Sequence, residues 1–522
     1  MQTSFRLACA MMLAATSLRA GEIVLPPVIS SHMVLQADMP TPIWGTATPG
    51  AMITVRFRGQ TKTAQTDAQG QWRVLLDPLE SGGPDQLVIQ ADTELVLEDV
   101  LVGEVWLGSG QSNMAGQTKG YANKPGPQGD GALRRLLEAA PYPHVRVMKS
   151  SKEGWQPASR EQLETFSALM TAFGLTLHQA LDQPVGLLVG AVGGTPAGYW
   201  ISEAAYRQDA ACQAMAAEFA KTYDLAAAQH KHAKALTAWE QAAATAKAAG
   251  TKVPRAPWEP QPAGESSRGL EIGHLFESRI RPFVPYAIRG VLWDQGEAGS
   301  GITGVDPYTI MGALIRAWRQ EWGQGAFPFI YVQKPSGGGC AWDPDDPITM
   351  RANKFAPLPA TPADNAKGMD RENFIRIMNY PNTAMVIASD LGDGTHPLNK
   401  SGYGARAARA ALGMVYGQPL EYYGPIYAGH TLENDAVIVR FNHTAGGLAW
   451  RHGDRLQGFA IAGEDRVFHW ADAVMAPDSV RLTHPQVPQP VAVRYAWDKQ
   501  HPWANLFNAD GLPALAFRTD DW

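Results

Sequence analysis

Gly103-Glu-Val-Trp-Leu-Gly-Ser-Gly-Gln-Ser-Asn-Met114 is the stretch on which the fold turns. Its apolar run Val105 to Leu107 reads as the end of a strand, and Gly108-Ser-Gly110 as a flexible turn. Ser112 then stands where a strand hands over to a helix. Such a position exposes a hydroxyl at the carboxyl edge of a sheet and sets free backbone N–H groups beside it, which favour a developing negative charge. Taken alone, the same residues would also suit a turn serine that caps a helix.

Downstream of this stretch, strands alternate with helices. Phe166 to Leu181 carries apolar residues at helical spacing, Val185 to Val192 is a nearly continuous apolar strand, and Ile310 to Trp322 reads as another helix. That order predicts an α/β sheet with helices on its faces. Upstream, Glu22 to about Val102 reads as an all-β region, with alternation in Ile53 to Phe57, Gln71 to Leu76 and Gln86 to Gln90. Alternation returns in Ala436 to Phe441 and Val491 to Tyr495. The expected division is 1–20, 21–102, 103–420 and 421–522, with a helical insertion and proline-rich linker over 203–262. The two β regions, jelly-roll or sandwich-like, are free to pack on one another. No internal repeat is visible.

A hydrophobic share of 45% over 522 residues gives enough apolar surface for a core and excludes disorder as the main theme. Residues 1–20 place Arg6 ahead of the apolar run Leu7 to Ala15 and end in small residues at Ala20, the outline of a secretory signal peptide. Its apolar run is short for a bilayer span. Cleavage there removes Arg6 and Arg19 and no acid, taking the formal charge from −6 to −8. An acidic chain argues against nucleic acid or an anionic membrane as partner. The expected location is secreted or periplasmic. Cys212 and Cys340 remain after cleavage, and nothing in their spacing decides between a disulfide and two free thiols.

A second chemical block is Asp390-Leu-Gly-Asp-Gly-Thr-His-Pro-Leu-Asn-Lys400, ahead of a helix expected from about Gly402 to Tyr416. Asp393 and His396 lie three apart on one loop, so the carboxylate can accept the Nδ1 hydrogen and turn Nε2 toward a substrate. Asp390 is a rival for that role, but its place at a strand end points to structure. Two further blocks follow buried strands: Gly193-Gly-Thr-Pro-Ala-Gly-Tyr-Trp200 and Trp293-Asp-Gln-Gly-Glu297. The Ser112 and Gly194 N–H groups and the Gln295 amide are candidate oxyanion donors. Tyr199, Trp200, Trp293 and Trp342 are candidates to stack on sugar rings, with burial in the core as the plain alternative. The His230/His232 pair would point to different helix faces, which disfavours a metal site there.

In series, GEVWLGSGQSNM, FSALMTAFGLTLHQAL, PVGLLVGAVGGTPAGYW, IRGVLWDQGEAG, FPFIYVQ and DGTHPLNKSGYG resemble the SGNH-hydrolase superfamily. Within it, the pattern is similar to the bacterial sialate O-acetylesterase-like carbohydrate esterases, some of which act on hemicelluloses such as xyloglucan. The resemblance runs from Val102 to about Tyr416. It implies a three-layer α/β/α, flavodoxin-like sheet, no metal or cofactor, and acetyl transfer to water through an acyl-serine. Ser112 matches the nucleophile, Gly194 an oxyanion donor, and Asp393 with His396 the terminal pair. The third block departs from the pattern: it offers Gln295 and Glu297 where many members carry an asparagine, and it reads WDQGEAG beside the related WYQGESN. Glu297 is left with two roles, orienting the histidine or binding sugar.

The resemblance implies a secreted carbohydrate O-acetylesterase acting on hemicellulose acetates such as those of xyloglucan or xylan. A sialate O-acetylesterase is the alternative, and an inactive carbohydrate-binding protein a further one. The expected partner is an acetylated oligosaccharide or polysaccharide; oligomeric state is not legible. No Gly-x-Ser-x-Gly elbow or His-Glu-x-x-His is present, which disfavours an α/β-hydrolase or a metallohydrolase.

Overall fold

The computed structural model describes residues 22–124, 129–334, 337–339, 348, 355–363, 368–392 and 394–522. The signal-like segment 1–20, Cys340, Trp342 and Asp393 lie outside the described residues. The N-terminal strands are β1 (Val34–Gln36), β2 (Thr41–Thr46), β3 (Met52–Phe57), β4 (Gln60–Gln65), β5 (Gln71–Leu76) and β6 (Gly82–Gln90). In β5, Trp72, Val74 and Leu76 are buried while Gln71, Arg73 and Leu75 are exposed. This is the period-two burial read from the sequence.

Strand β7 (Glu94–Gly110) is 17 residues long and joins two neighbourhoods. After it come β8 (Tyr142–Met148), β9 (Gln156–Ala158), β10 (Val185–Ala191), β11 (Gly290–Asp294), β12 (Phe329–Val332) and β13 (Thr383–Val386). The first part of β7 pairs antiparallel with β6 and reaches β1 in parallel. Its last part pairs in parallel with β10 on one side and β11 on the other. The resulting 11-stranded mixed sheet runs β13-β12-β11-β7-β10-β8-β9, with β1, β3, β4 and β6 attached through β7, while β2 and β5 pair with each other as a separate sheet. The boundary expected between 102 and 103 therefore falls inside one continuous strand.

Helices close over this sheet. Ser167 caps the Ala168–Leu181 helix by accepting from the Met170 N–H, and Asp182 ends it in a left-handed conformation. Phe173 of that helix meets Trp106 of β7 edge to face, with ring centres 5.1 Å apart. On the β11 side, Asp306 caps the Pro307–Trp322 helix and Gly323 terminates it. Its buried Trp318 packs against Trp293 and Phe329 and donates its indole N–H to the Trp200 carbonyl at 2.7 Å.

The N-terminal β residues share one apolar core with this α/β sheet. The C-terminal strands, among them Ala436–Asn442 and Ser479–Thr483, enclose a second core around Val439, Phe459 and Tyr495. The cores thus group the N-terminal β region with the sheet and not with the C-terminal one, because β7 carries the chain directly from one to the other. The 203–262 insertion forms the helices Glu203–Gln208, Ala210–Ala220 and Leu225–Ala248. Its proline-rich part returns along the last of these, where Trp239 donates to the Pro254 carbonyl. Cys212 is a buried free thiol, pushed up to about 12 by burial. Among the described residues no helix is long and apolar enough to cross a membrane.

The tryptophan cluster under β11 sets a first test. Trp318→Ala removes a buried ring and one hydrogen bond, and the expected cost is about 3–5 kcal/mol in urea unfolding. A loss under about 1 kcal/mol would mean that the cluster repacks around the vacancy.

Candidate active site

Strand β7 ends at Gly110, whose φ is 128°. A Cβ there would fall 2.2 Å from the Asp294 carbonyl oxygen, so glycine alone allows β7 and β11 to run this close at their ends. The Gln111 N–H donates to that same carbonyl at 2.9 Å, and the helix Ser112–Ala115 begins at once. His396 arrives from a loop 284 residues later and sets its Nε2 2.8 Å from Ser112 Oγ. The imidazole is exposed and Ser112 half-buried. A neutral imidazole with Nε2 unprotonated accepts the serine hydrogen in this geometry.

The loop after β10 closes the same corner. A Cβ on Gly193 would lie 3.5 Å from Ser112 Cβ, and Gly194 takes a φ of 74°. Among the described residues, neither the Ser112 nor the Gly194 N–H has a hydrogen-bond partner. Arg268 holds this loop to the next, donating to the Gly194 carbonyl at 2.8 Å and the Ala298 carbonyl at 3.0 Å.

Gln295 does not serve as a donor here. Its buried amide nitrogen gives its hydrogens to the Thr195 and Gly299 carbonyls, at 3.3 and 3.0 Å, and braces the two loops. Trp200 and Trp293 are likewise corrected: both are 0% exposed and meet edge to face at 6.1 Å, leaving no face for a sugar. Tyr199 is buried against the His274 ring. Trp342 and Asp393 fall outside the described residues. Asp390 is buried and held by Arg406 at 2.5 and 2.6 Å, an ion pair that fixes the turn after β13 to the following helix.

Beneath Ser112 runs a chain of buried polar groups. The Asn113 amide nitrogen donates to Glu297 Oε1 at 3.0 Å and to the Thr395 carbonyl at 2.9 Å. Asn113 Oδ1 accepts from Lys400 Nζ at 2.6 Å. Lys334 Nζ lies 2.5 Å from Asp294 Oδ1 and 3.1 Å from Glu297 Oε1. Burial raises the Asp294 carboxyl above its usual range, against the pull of Lys334. Burial alone would lower Lys334, yet Asp294 and Glu297 hold it above the usual lysine value. Among the described residues Lys400 has no carboxylate in contact: burial brings it down to about 7, with Asp294 opposing and Lys334 adding to the fall. The rings of Tyr121 and Tyr403 flank its ammonium, each centred 5.1 Å away. Asp130 anchors the helix Lys400–Met414 by accepting from the N–H and hydroxyl of Ser401.

Of these groups, the sequence reading missed Asn113, Lys334, Lys400 and Arg268. Asn113 and Lys400 sat inside blocks already singled out, and a lysine next to a histidine loop could have been flagged. Lys334 and Arg268 gave no signal, since both act through contacts far apart in sequence.

Below about pH 7 the Lys400 ammonium is charged in both folded and unfolded chains. Between about 7 and the ordinary value of 10.5 the unfolded chain binds more protons, so wild-type stability gains from this group as pH rises. In Lys400→Met that gain is absent. Urea unfolding of both proteins across this window should show their difference shifting toward wild type with rising pH; a flat difference rules out a destabilised ammonium.

No protein-family model matches the sequence. The chain is 26% identical to the sialate O-acetylesterase of Pongo abelii, over 94% of this chain and 92% of that protein. It is 28% identical to the Homo sapiens sialate O-acetylesterase, over 76% and 72% respectively. A carbohydrate acetylesterase from Xanthomonas citri superposes with a TM-score of 0.73 at 28% identity, covering 96% of this chain and all of that one. With a serine and a histidine in contact at the mouth of the sheet, the chain is an esterase, similar along most of its length to sialate O-acetylesterases and to a carbohydrate acetylesterase.

Proposed function

We propose that this protein is a secreted carbohydrate O-acetylesterase of the SGNH type, built on a three-layer α/β/α sheet and working through a Ser112–His396–Asp393 triad. The observation that carries the reading is the 2.8 Å approach of His396 Nε2 to Ser112 Oγ at a helix start beside unspent backbone N–H groups. His396 takes the Ser112 proton as Oγ attacks the acetyl carbonyl carbon, and the oxyanion faces the Ser112 and Gly194 N–H groups. Collapse breaks the ester bond to the sugar oxygen, which leaves with the proton from His396. Water then attacks the acetyl-serine through the same base, releasing acetate and restoring Ser112. We assign Asp393, three residues before His396 in the sequence, as the acid of this triad, whose part would be to orient the imidazole.

Acetyl groups on plant hemicelluloses, xyloglucan or xylan, are the substrates we assign first. A second reading, O-acetyl sialic acid, is favoured by the activity in the names of the mammalian relatives. Acetate release from acetylated xyloglucan, acetylated xylan and O-acetyl sialic acid separates them. Ser112→Ala should lower the rate on the best substrate by at least about a thousandfold with the fold intact. Acetate release that survives the substitution would place the nucleophile elsewhere.

A further inference from the structure

The C-terminal β region reaches the catalytic corner. Two cavities, of about 240 and 460 Å³, share Glu297, Thr395 and Lys499 in their walls. Thr395 is next in sequence to His396, and Glu297 is bonded to Asn113, the neighbour of Ser112. The larger cavity extends to Asp370 and Asn373, on the helix Met369–Arg376, and the smaller ends on Gln500.

The segment carrying Lys499 and Gln500 is locked in place. The His501 N–H donates to the Gly338 carbonyl at 2.9 Å, and the Gly338 N–H to the Gly392 carbonyl at 2.8 Å on the histidine loop. The fully buried Arg371 ties the Gly337 and Lys499 carbonyls together at 2.7 and 2.9 Å. This backbone chain holds a loop of the second core in register with His396.

The polar heads around the cavities differ in what they have left to bind. Glu297 is spent on Asn113 and Lys334. Among the described residues, the side chains of Asp370, Asn373, Lys499 and Gln500 make no hydrogen bond or ion pair. They offer a carboxylate, an ammonium and two amides around two cavities that share a wall at Lys499, a donor and acceptor set suited to the adjacent hydroxyls of a sugar ring. We propose that this surface is the sugar subsite of the esterase, with Lys499 and Gln500 of the C-terminal β region as specificity-determining residues that bind hydroxyls of the acetylated carbohydrate. The inference rests on the esterase reading above and adds to it which part of the chain selects the sugar.

The test compares Lys499→Ala, Gln500→Ala and, from the helix Met369–Arg376, Asn373→Ala with wild type. The sugar probes are O-acetyl sialic acid and acetylated xylo-oligosaccharides, and the bare ester is 4-nitrophenyl acetate. Each substitution should lower the ratio of kcat/KM on the sugar ester to that on the bare ester by about tenfold or more, mainly through KM. Lys499 and Gln500 are exposed, so both variants should fold, and thermal midpoints check it. A ratio unchanged within twofold, or equal losses on both substrates, overturns the subsite while leaving the esterase reading intact. A wild type that releases acetate from none of the sugar probes overturns both.

Discussion

The hydrogen bond from Lys400 Nζ to Asn113 Oδ1 is the contact on which the catalytic corner depends. It fixes which way the Asn113 amide points, and that orientation lets one nitrogen hold both the Thr395 carbonyl and Glu297. Thr395 carries His396, Asn113 follows Ser112, and Glu297 belongs to the loop after β11. Three loops from distant parts of the chain are thereby set against each other by one side chain. A buried amide whose every hydrogen-bonding group is satisfied is rigid, and one deprived of a partner is costly.

The charges around it are balanced as well as bonded. Lys334 stands between Asp294 and Glu297, and with Lys400 on Asn113 two carboxyl groups and two lysine amines occupy the floor of the site. Isolated, each would be expensive to bury; in contact, they offset one another's desolvation. A polar floor of this kind keeps the loop ends from relaxing into an apolar packing that would move Ser112 away from His396.

Much of this was legible in the chain itself. The alternating and continuous apolar runs gave the strands and the helix order, because periodicity follows directly from which face is buried. Ser112 and His396 stood out because their blocks place reactive groups at strand ends. The errors have one physical origin. Gln295, Trp200 and Trp293 were read as facing the site, yet sequence says nothing of which way a side chain turns, and all three are buried in the protein. The continuity of β7 was hidden for a related reason: a strand that changes partners midway shows no break in its own pattern.

That shared strand also bears on how the chain is made. As β7 is synthesised, its carboxyl half has a partner only once β10 follows, and its other edge stays open until β11 emerges beyond the helical insertion. An unpaired parallel edge at the centre of a growing sheet is a place where two nascent chains can stick together. The long helical detour between β10 and β11 therefore lengthens the stretch of chain that must be made before that edge can be covered.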